Sequence, residues 1–429
     1  MKRFYEREIL KQLKKWVSRK EIYAIKGPRQ AGKTTVLFML RDWLIESEKV
    51  DPENIIFITF EDRENLEKFS INPKEFIGSF VLNEKQRYYF LLDEFHYVRE
   101  GGRKLKLLYD TTENIKFIIT GSSSLELTGS TSKYLVGRMF SFYLSPFSLG
   151  EFLNTRDERL FKVYKGRNEL VRNFISKGEN FTVKDDIFLS DFELLLEEFI
   201  VFGGYPEVIK ARDKETKQVI IKNIYETYVG REIIELLRVH DIFKFRKLIT
   251  LLGSRLGGMV NYNDLASLSN SYYKEIIEIL DILEETFIVR IMRPYHRNLR
   301  TELRKNPKAY FVDLGLRNYL INNFNGLGKR VDVGVLVENF VLNQLSCLTE
   351  KINYWRTLGK AEVDFILTFG DEVIPVEVKY TLKRPSISRG FRSFISAYNP
   401  KRALIITKNY WGEIRVGETL IKFVPACYL

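Results

Sequence analysis

Eight consecutive residues constrain this chain more than any other feature: Gly27-Pro28-Arg29-Gln30-Ala31-Gly32-Lys33-Thr34. They satisfy the pattern G-x-x-x-x-G-K-[ST] in full. The run follows a stretch with strand character, EIYAIKG at 21–27, and opens an apolar-periodic helix from about Lys33 to Glu46. In that setting the glycines let successive backbone N–H groups turn inward around a β-phosphate, and the helix N-terminus adds positive potential. Lys33 would reach the β and γ oxygens, the Thr34 hydroxyl would ligate Mg2+, and Thr35 completes the cofactor-binding run from Gly27. The loop predicts ATP and Mg2+ as cofactors.

Further apolar runs surround it: NIIFITFED at 54–62, RYYFLLDE at 87–94 and IKFIITGSS at 115–123. Separated by helical patterns, they predict βαβ units and a parallel α/β sheet covered on both faces. Asp93 and Glu94 end the second of these runs. Asp93 would hold the Mg2+ shell through water, and Glu94 would polarise an attacking water as general base. At the end of the next run, Thr120-Gly121-Ser122-Ser123-Ser124, Ser122 is the hydroxyl expected to sense a γ-phosphate, unless the segment is only a Ser-rich turn. Beyond it, Arg138 could neutralise transition-state charge on its own or a neighbouring subunit, or be an ordinary surface arginine.

At 429 residues the chain is too long for one hydrophobic core. The pattern predicts a P-loop core over 1–150 and a helical lid over 151–242, in which the charge-rich stretch 154–188 reads as a lid insertion or mobile loop. Residues 243–292 read as helix, helix, helix, strand. That is the outline of a winged helix-turn-helix or of a generic helical subdomain. The linker PYHRNLRTELRKNPK at 294–308 holds five Lys/Arg and one acid, and marks a boundary at 308. A second α/β unit follows over 309–429, with a helix around 333–348.

That last portion carries a second group of acids. Asp364 ends one strand pattern, and Glu377 and Lys379 on a following strand are two apart, so their side chains share a face. Glu338 on the preceding helix could approach from the side. Carboxylates Glu338, Asp364 and Glu377 could hold a divalent metal against a scissile phosphate, with Lys379 stabilising developing charge. Lys383, Arg384, Arg389, Arg392, Lys401 and Arg402, interleaved with Phe391, Phe394 and Tyr398, fit either a phosphate-neutralising patch or a solvated helix face over core aromatics.

Composition narrows the chemistry. Two cysteines, Cys347 and Cys427, and three distant histidines, His96, His240 and His296, make a zinc site or a Cys-His pair an unsuitable basis for catalysis. The net charge of +12, from 68 Lys+Arg against 56 Asp+Glu, suits a polyanionic partner, DNA first. No apolar stretch approaches membrane-spanning length, so the expectation is a cytoplasmic protein with no membrane partner. Either a homo-oligomer or a protein partner is compatible with the sequence.

The order GPRQAGKT, LLDEF, FIITGSSS, LVGRMFSFYLSPFSLGEF and GGYPEVI resembles a family of archaeal and bacterial AAA-type P-loop ATPases. Its members carry a C-terminal domain of unknown function whose fold is thought to be restriction-endonuclease-like. The likeness continues through KAYFVDLGLRNYL, VENFVLNQL, NYWRTLGKAEVDFIL and IPVEVKY, and so spans nearly the whole chain. One departure is His96, where the family usually has Gln. Asp364 followed by Glu377-x-Lys379 likewise resembles the PD-(D/E)xK nuclease signature. The resemblance implies an ATP- and Mg2+-dependent ATPase with a helical lid, a winged-helix segment and a nuclease-like end. From these motifs the expected function is ATP hydrolysis coupled to DNA binding or processing, with or without phosphodiester cleavage. The alternative is an ATP-dependent switch or scaffold whose nuclease-like domain is inactive and binds a protein.

Overall fold

A computed structural model describes residues 4–121, 134–183, 186–232, 241–295, 306–349, 351–380 and 386–429. The chain divides into two compact units. Met1–Phe147 with Glu285–Ile288 form the first, and Ser148–Glu284 with Val289–Leu429 form the second. The first unit takes residues 1–147 of the segment expected as the P-loop core and residues 285–288 of the segment expected as a winged helix, and the remaining residues fall in the second.

The first unit is built on strands β1 (Ile22–Lys26), β2 (Ile55–Thr59), β3 (Tyr88–Asp93), β4 (Ile115–Gly121) and β5 (Met139–Tyr143). They form one parallel sheet in the order β2-β3-β4-β1-β5. Successive side chains of a strand leave on opposite faces. Accordingly Tyr23 and Ile25 of β1 pack with α1 (Ile9–Lys15) and α2 (Lys33–Glu46), through Leu13, Val36, Leu37 and Leu40. Ile22 and Ala24 face the other layer, where α3 (Arg63–Ile71), α4 (Pro73–Gly78) and α5 (Gly101–Thr111) contribute Phe69, Phe76 and Leu105. Burial on both faces explains why these strands read as unbroken apolar runs rather than as alternation.

The second unit opens with α6 (Leu149–Arg156), held at its start by a capping box between Ser148 and Glu151. The charge-rich stretch expected to be a lid insertion or mobile loop is largely α7, a 20-residue helix over Glu158–Lys177. Asp157 caps it, and Leu160, Tyr164, Val171 and Phe174 recur at helical spacing on its buried side. Its many charges occupy the remaining faces, which is why composition alone misleads here.

Helices Ile242–Ser254, Tyr262–Ser269 and Tyr273–Glu285 then precede a two-stranded antiparallel ribbon of β6 (Val289–Met292) and β7 (Lys308–Phe311). Further on, β8 (Ile352–Arg356), β9 (Glu362–Phe369), β10 (Glu372–Lys379), β11 (Arg402–Thr407), β12 (Gly412–Val416) and β13 (Thr419–Pro425) form a mixed sheet in the order β12-β13-β11-β10-β9-β8. Helix Arg389–Tyr398 covers one face through Phe391, Phe394 and Ile395. Helix Val333–Leu345 lies against β10. Among the described residues, no helix is long and apolar enough to cross a membrane.

Two motifs noticed in the sequence meet inside this unit. The buried carboxylate of Asp313, in VDLGL, accepts hydrogen bonds from the backbone N–H of Gly204 (2.7 Å) and of Leu316 (2.9 Å). Gly203, in GGYPEVI, has φ 78° and ψ −171°, and a Cβ there would overlap the Asp313 carboxylate. Only glycine adopts that conformation freely.

Candidate functional site

The phosphate loop leaves the C-terminal end of β1, near the middle of the sheet, and turns into α2. Gly27 passes so close to the neighbouring chain that a Cβ would overlap the Leu144 carbonyl oxygen. Gly32, at φ 95°, caps α2 in a left-handed conformation. The first turn of α2 begins at Lys33, and the start of a helix is where backbone amides point outward toward an anion. Buried Lys33 donates from Nζ to the carbonyls of Gly27 (3.2 Å) and Pro28 (3.1 Å), so its ammonium lies over the loop.

The acids of β3 stand beside this loop. Asp93 accepts from Thr34 Oγ1 at Oδ2 (2.7 Å) and from Thr120 Oγ1 at Oδ1 (2.6 Å), and the same Thr120 oxygen accepts from the Glu94 N–H at 2.9 Å. The start of α2 and the ends of β3 and β4 are thereby tied together through hydroxyl and carboxylate groups. Burial pushes Asp93 above its ordinary carboxylate value, against the opposing pull of its two hydroxyl partners. Glu94 adopts φ 50°, ψ 44°, and His96 Nδ1 lies 3.0 Å from its Oε2, within ion-pair reach but off the line of a good hydrogen bond. Burial alone would raise the Glu94 pKa. Contact with His96 and the charges of Lys33 and Arg29 outweigh it and hold the carboxyl down to about 2. Glu94 is therefore ionised at neutral pH.

The donors present fit a nucleotide with Mg2+: a loop closed to any side chain at Gly27, a lysine over it, and a hydroxyl–carboxylate pair at Thr34 and Asp93. Arg29 donates to the Tyr97 hydroxyl (2.7 Å), Gln30 has φ 59°, and Pro28 and Ala31 are buried in the loop.

Not every expected residue reaches this site. Ser122 lies outside the described residues. Arg138 precedes β5, and its carbonyl accepts from the N–H of Ile22, at the start of β1. The phosphate loop leaves the other end of that strand, roughly 13 Å away along its axis. The Arg138 guanidinium pairs instead with Asp110 (2.9 Å). The expectation that Arg138 could serve its own nucleotide does not fit this placement, because parallel strands put their starts and their ends on opposite edges. Two residues missed in the sequence do belong to the site. Thr120 bridges both acids as described. Buried Arg7 donates to the carbonyls of Ala31 (2.7 Å) and Ser145 (2.6 Å) while stacking on Phe147, bracing the loop from behind. A hydroxyl ending an apolar strand could have signalled Thr120; nothing local distinguishes Arg7.

In the second unit, Asp364 of β9 and Glu377 and Lys379 of β10 lie on neighbouring strands, and Asp364 accepts from the Val378 N–H at 2.7 Å. Lys379 is 3.0 Å from Glu377, whose other oxygen is buried without a hydrogen-bond partner. Burial and the nearby Glu338 charge push Asp364 up to about 7, against the pull of Lys308. Glu338 accepts from the Tyr310 hydroxyl and sits 3.4 Å from Lys308, which is also 2.6 Å from Glu362. Among the described residues, no group of three or more His, Cys, Asp and Glu side chains is arranged to hold a metal ion. Lys308, which the sequence reading placed in the linker, stands among these acids, beside Glu338 and Glu362, and its charge acts on Asp364.

The basic residues downstream divide as well. Arg402 is buried and paired with Glu372 (2.8 Å), and Phe391 and Phe394 belong to the core. Arg389, Arg392 and Lys401 are exposed, while Lys383 and Arg384 lie outside the described residues.

A five-stranded parallel sheet with the phosphate loop after β1 and paired acids ending β3 defines the first unit as an AAA-type P-loop ATPase domain, and residues 19–153 match a family described as an AAA domain. Residues 193–326 and 333–426 match two domains of unknown function, DUF8612 and DUF4143. Along its whole length the chain is similar to an uncharacterized protein of Haemophilus influenzae, 25% identical over 424 residues that cover 97% of this chain and 96% of the relative. An uncharacterized protein of Methanocaldococcus jannaschii is 24% identical over 423 residues, covering 94% and 87% respectively. Among solved structures, the ADP form of the Aeropyrum pernix ORC2 protein aligns at 13% identity with a TM-score of 0.36, covering 73% of this chain and 91% of that one.

Proposed function

We propose that this protein is a Mg2+-dependent ATP hydrolase whose nucleotide state is coupled to DNA handling by the second unit. The observation that carries the hydrolase reading is the linked set Thr34–Asp93–Thr120–Glu94 beside the phosphate loop. Mg2+, held by Thr34 and by Asp93 through water, would neutralise phosphate charge. Lys33 and the α2 amides orient the phosphates. Glu94, kept ionised, takes the proton of the attacking water. The tests are ATP binding and turnover. Lys33→Ala is expected to lose ATP binding, and Glu94→Gln to bind ATP but turn it over at least 100-fold more slowly. Wild-type turnover in either variant would sink the reading.

Coupling to DNA draws on the net charge of +12 and on exposed Arg389, Arg392 and Lys401. The helix–helix–helix–ribbon order over 242–311 supports a winged helix. Its third helix, however, exposes Glu278 and Asp281, so only Tyr272, Tyr273 and Lys274 at its start suit a nucleic-acid groove. Binding to duplex DNA that weakens steeply with salt is the expected result. If none is found at low salt, the second reading takes over: an ATP-dependent switch whose nuclease-like end binds a protein. Lys308 among the acids favours that reading for the C-terminal portion.

A further inference from the structure

A buried ammonium is costly unless carboxylates surround it. Lys308 is 4% exposed, and its surroundings supply them: Glu362 at 2.6 Å, Glu338 at 3.4 Å, and Asp364 close enough for their charges to act on one another. Opposing charges hold the Lys308 ammonium above its ordinary value despite burial. Other donors serve the remaining acids, apart from one buried oxygen of Glu377. Arg356 lies 3.4 Å from the second oxygen of Glu362, Tyr310 donates to Glu338, Val378 donates to Asp364, and Lys379 pairs with Glu377.

The lysine has little freedom to leave. Its backbone pairs with Met292 across the ribbon and bridges to Met259 on the other side, while Pro307, just before it, accepts from the Val260 N–H at 2.7 Å. A divalent ion bridging Glu338 and Asp364 would have to share their charge with this ammonium, at a separation where like charges repel strongly.

We infer that Lys308 is the resident cation of this acid cluster, an ammonium standing where a metal-dependent phosphodiesterase would hold its divalent ion. Lys308 supplies the counter-charge to Glu338, Glu362 and Asp364 without metal, while one buried oxygen of Glu377 keeps no hydrogen-bond partner. The cluster works as an ion-paired lock joining β7, helix Val333–Leu345 and β9, and the second unit does not carry out metal-dependent phosphodiester cleavage there. This goes beyond the ATP hydrolase reading and does not depend on it.

The test counts Mn2+ bound to the full-length, nucleotide-free protein by electron paramagnetic resonance. Background binding at Thr34 and Asp93 is common to all variants and cancels in the comparison. Wild type and Asp364→Asn are expected to bind the same amount, because the wild-type cluster holds no Mn2+. Lys308→Met is expected to gain one Mn2+ per chain, lost again in Lys308→Met/Asp364→Asn. Loss of one bound Mn2+ on going from wild type to Asp364→Asn would overturn the inference, and that comparison does not require the Lys308 variant to fold. A folded Lys308→Met that gains no Mn2+ would overturn it too.

Discussion

Thr120 donates its hydroxyl hydrogen to Asp93 at 2.6 Å while its oxygen accepts from the backbone N–H of Glu94. One buried side chain thus sets both the direction of the carboxylate assigned to Mg2+ and the backbone position of the proposed base. A hydroxyl serving two acids is worth more than its single bonds, because removing it strands a buried charge. Thr120→Val keeps the shape and removes both bonds. Turnover is expected to fall about 10- to 100-fold, the equivalent of about 1.5–3 kcal/mol for a hydrogen bond to a charged group. ATP affinity should change much less, since the loop and Lys33 are untouched. Steady-state kinetics with a separate equilibrium binding measurement distinguishes the two effects.

His96 stands against Glu94 on the same short segment. With Glu94 held down to about 2, its contribution to stability is complete above the ordinary carboxylate range and is lost only as pH falls toward 2. The acid limb of the wild-type pH–rate profile should therefore not come from Glu94. In His96→Ala, burial is opposed only by Lys33 and Arg29, so Glu94 should take up its proton at a higher pH. Direct titration of the side-chain carboxyls by NMR checks this, and an unchanged Glu94 midpoint in the two proteins would refute a role for His96 in holding the base ionised.

Asp313 shows the opposite sign. Burial pushes its carboxyl up to about 6, against the pull of the Gly204 and Leu316 amides. The folded state then binds the proton more tightly than the unfolded chain does. Stability should fall as pH rises from the ordinary carboxylate range to about 6, by on the order of 3 kcal/mol, and level off above. Asp313→Asn should flatten that slope in urea unfolding followed at several pH values. Gly203→Ala, facing the same carboxylate from a conformation that suits only glycine, should cost at least about 2 kcal/mol.

Arg138, paired with Asp110 at the far edge of the sheet, should be dispensable to its own nucleotide. Arg138→Ala is expected to retain turnover within about twofold at protein concentrations where the chain is monomeric, since exposed ion pairs contribute little. A loss that appears only at higher concentration would assign the residue to a neighbouring subunit's site.

Local sequence determined the phosphate loop, its strand and helix, and the acids ending β3, because each follows from short-range spacing and continuous apolar runs. Glu377 and Lys379 were equally legible at the end of their strand, whereas Asp364, expected to end a strand, lies near the start of β9. Tertiary structure decided what those groups meet. Thr120 was one hydroxyl among several until β4 settled beside β3. Arg138 looked close to the site in sequence but was carried to the opposite edge by the parallel direction of β5. The charge-rich stretch at 154–188 became a helix because its few apolar residues found a core on one side. Lys308 belonged to a basic linker by sequence, and only the packing of β7 against β9 and helix Val333–Leu345 turned it into the counter-charge of the acid cluster. A charge's partner is set by distance through space, which spacing along the chain does not encode.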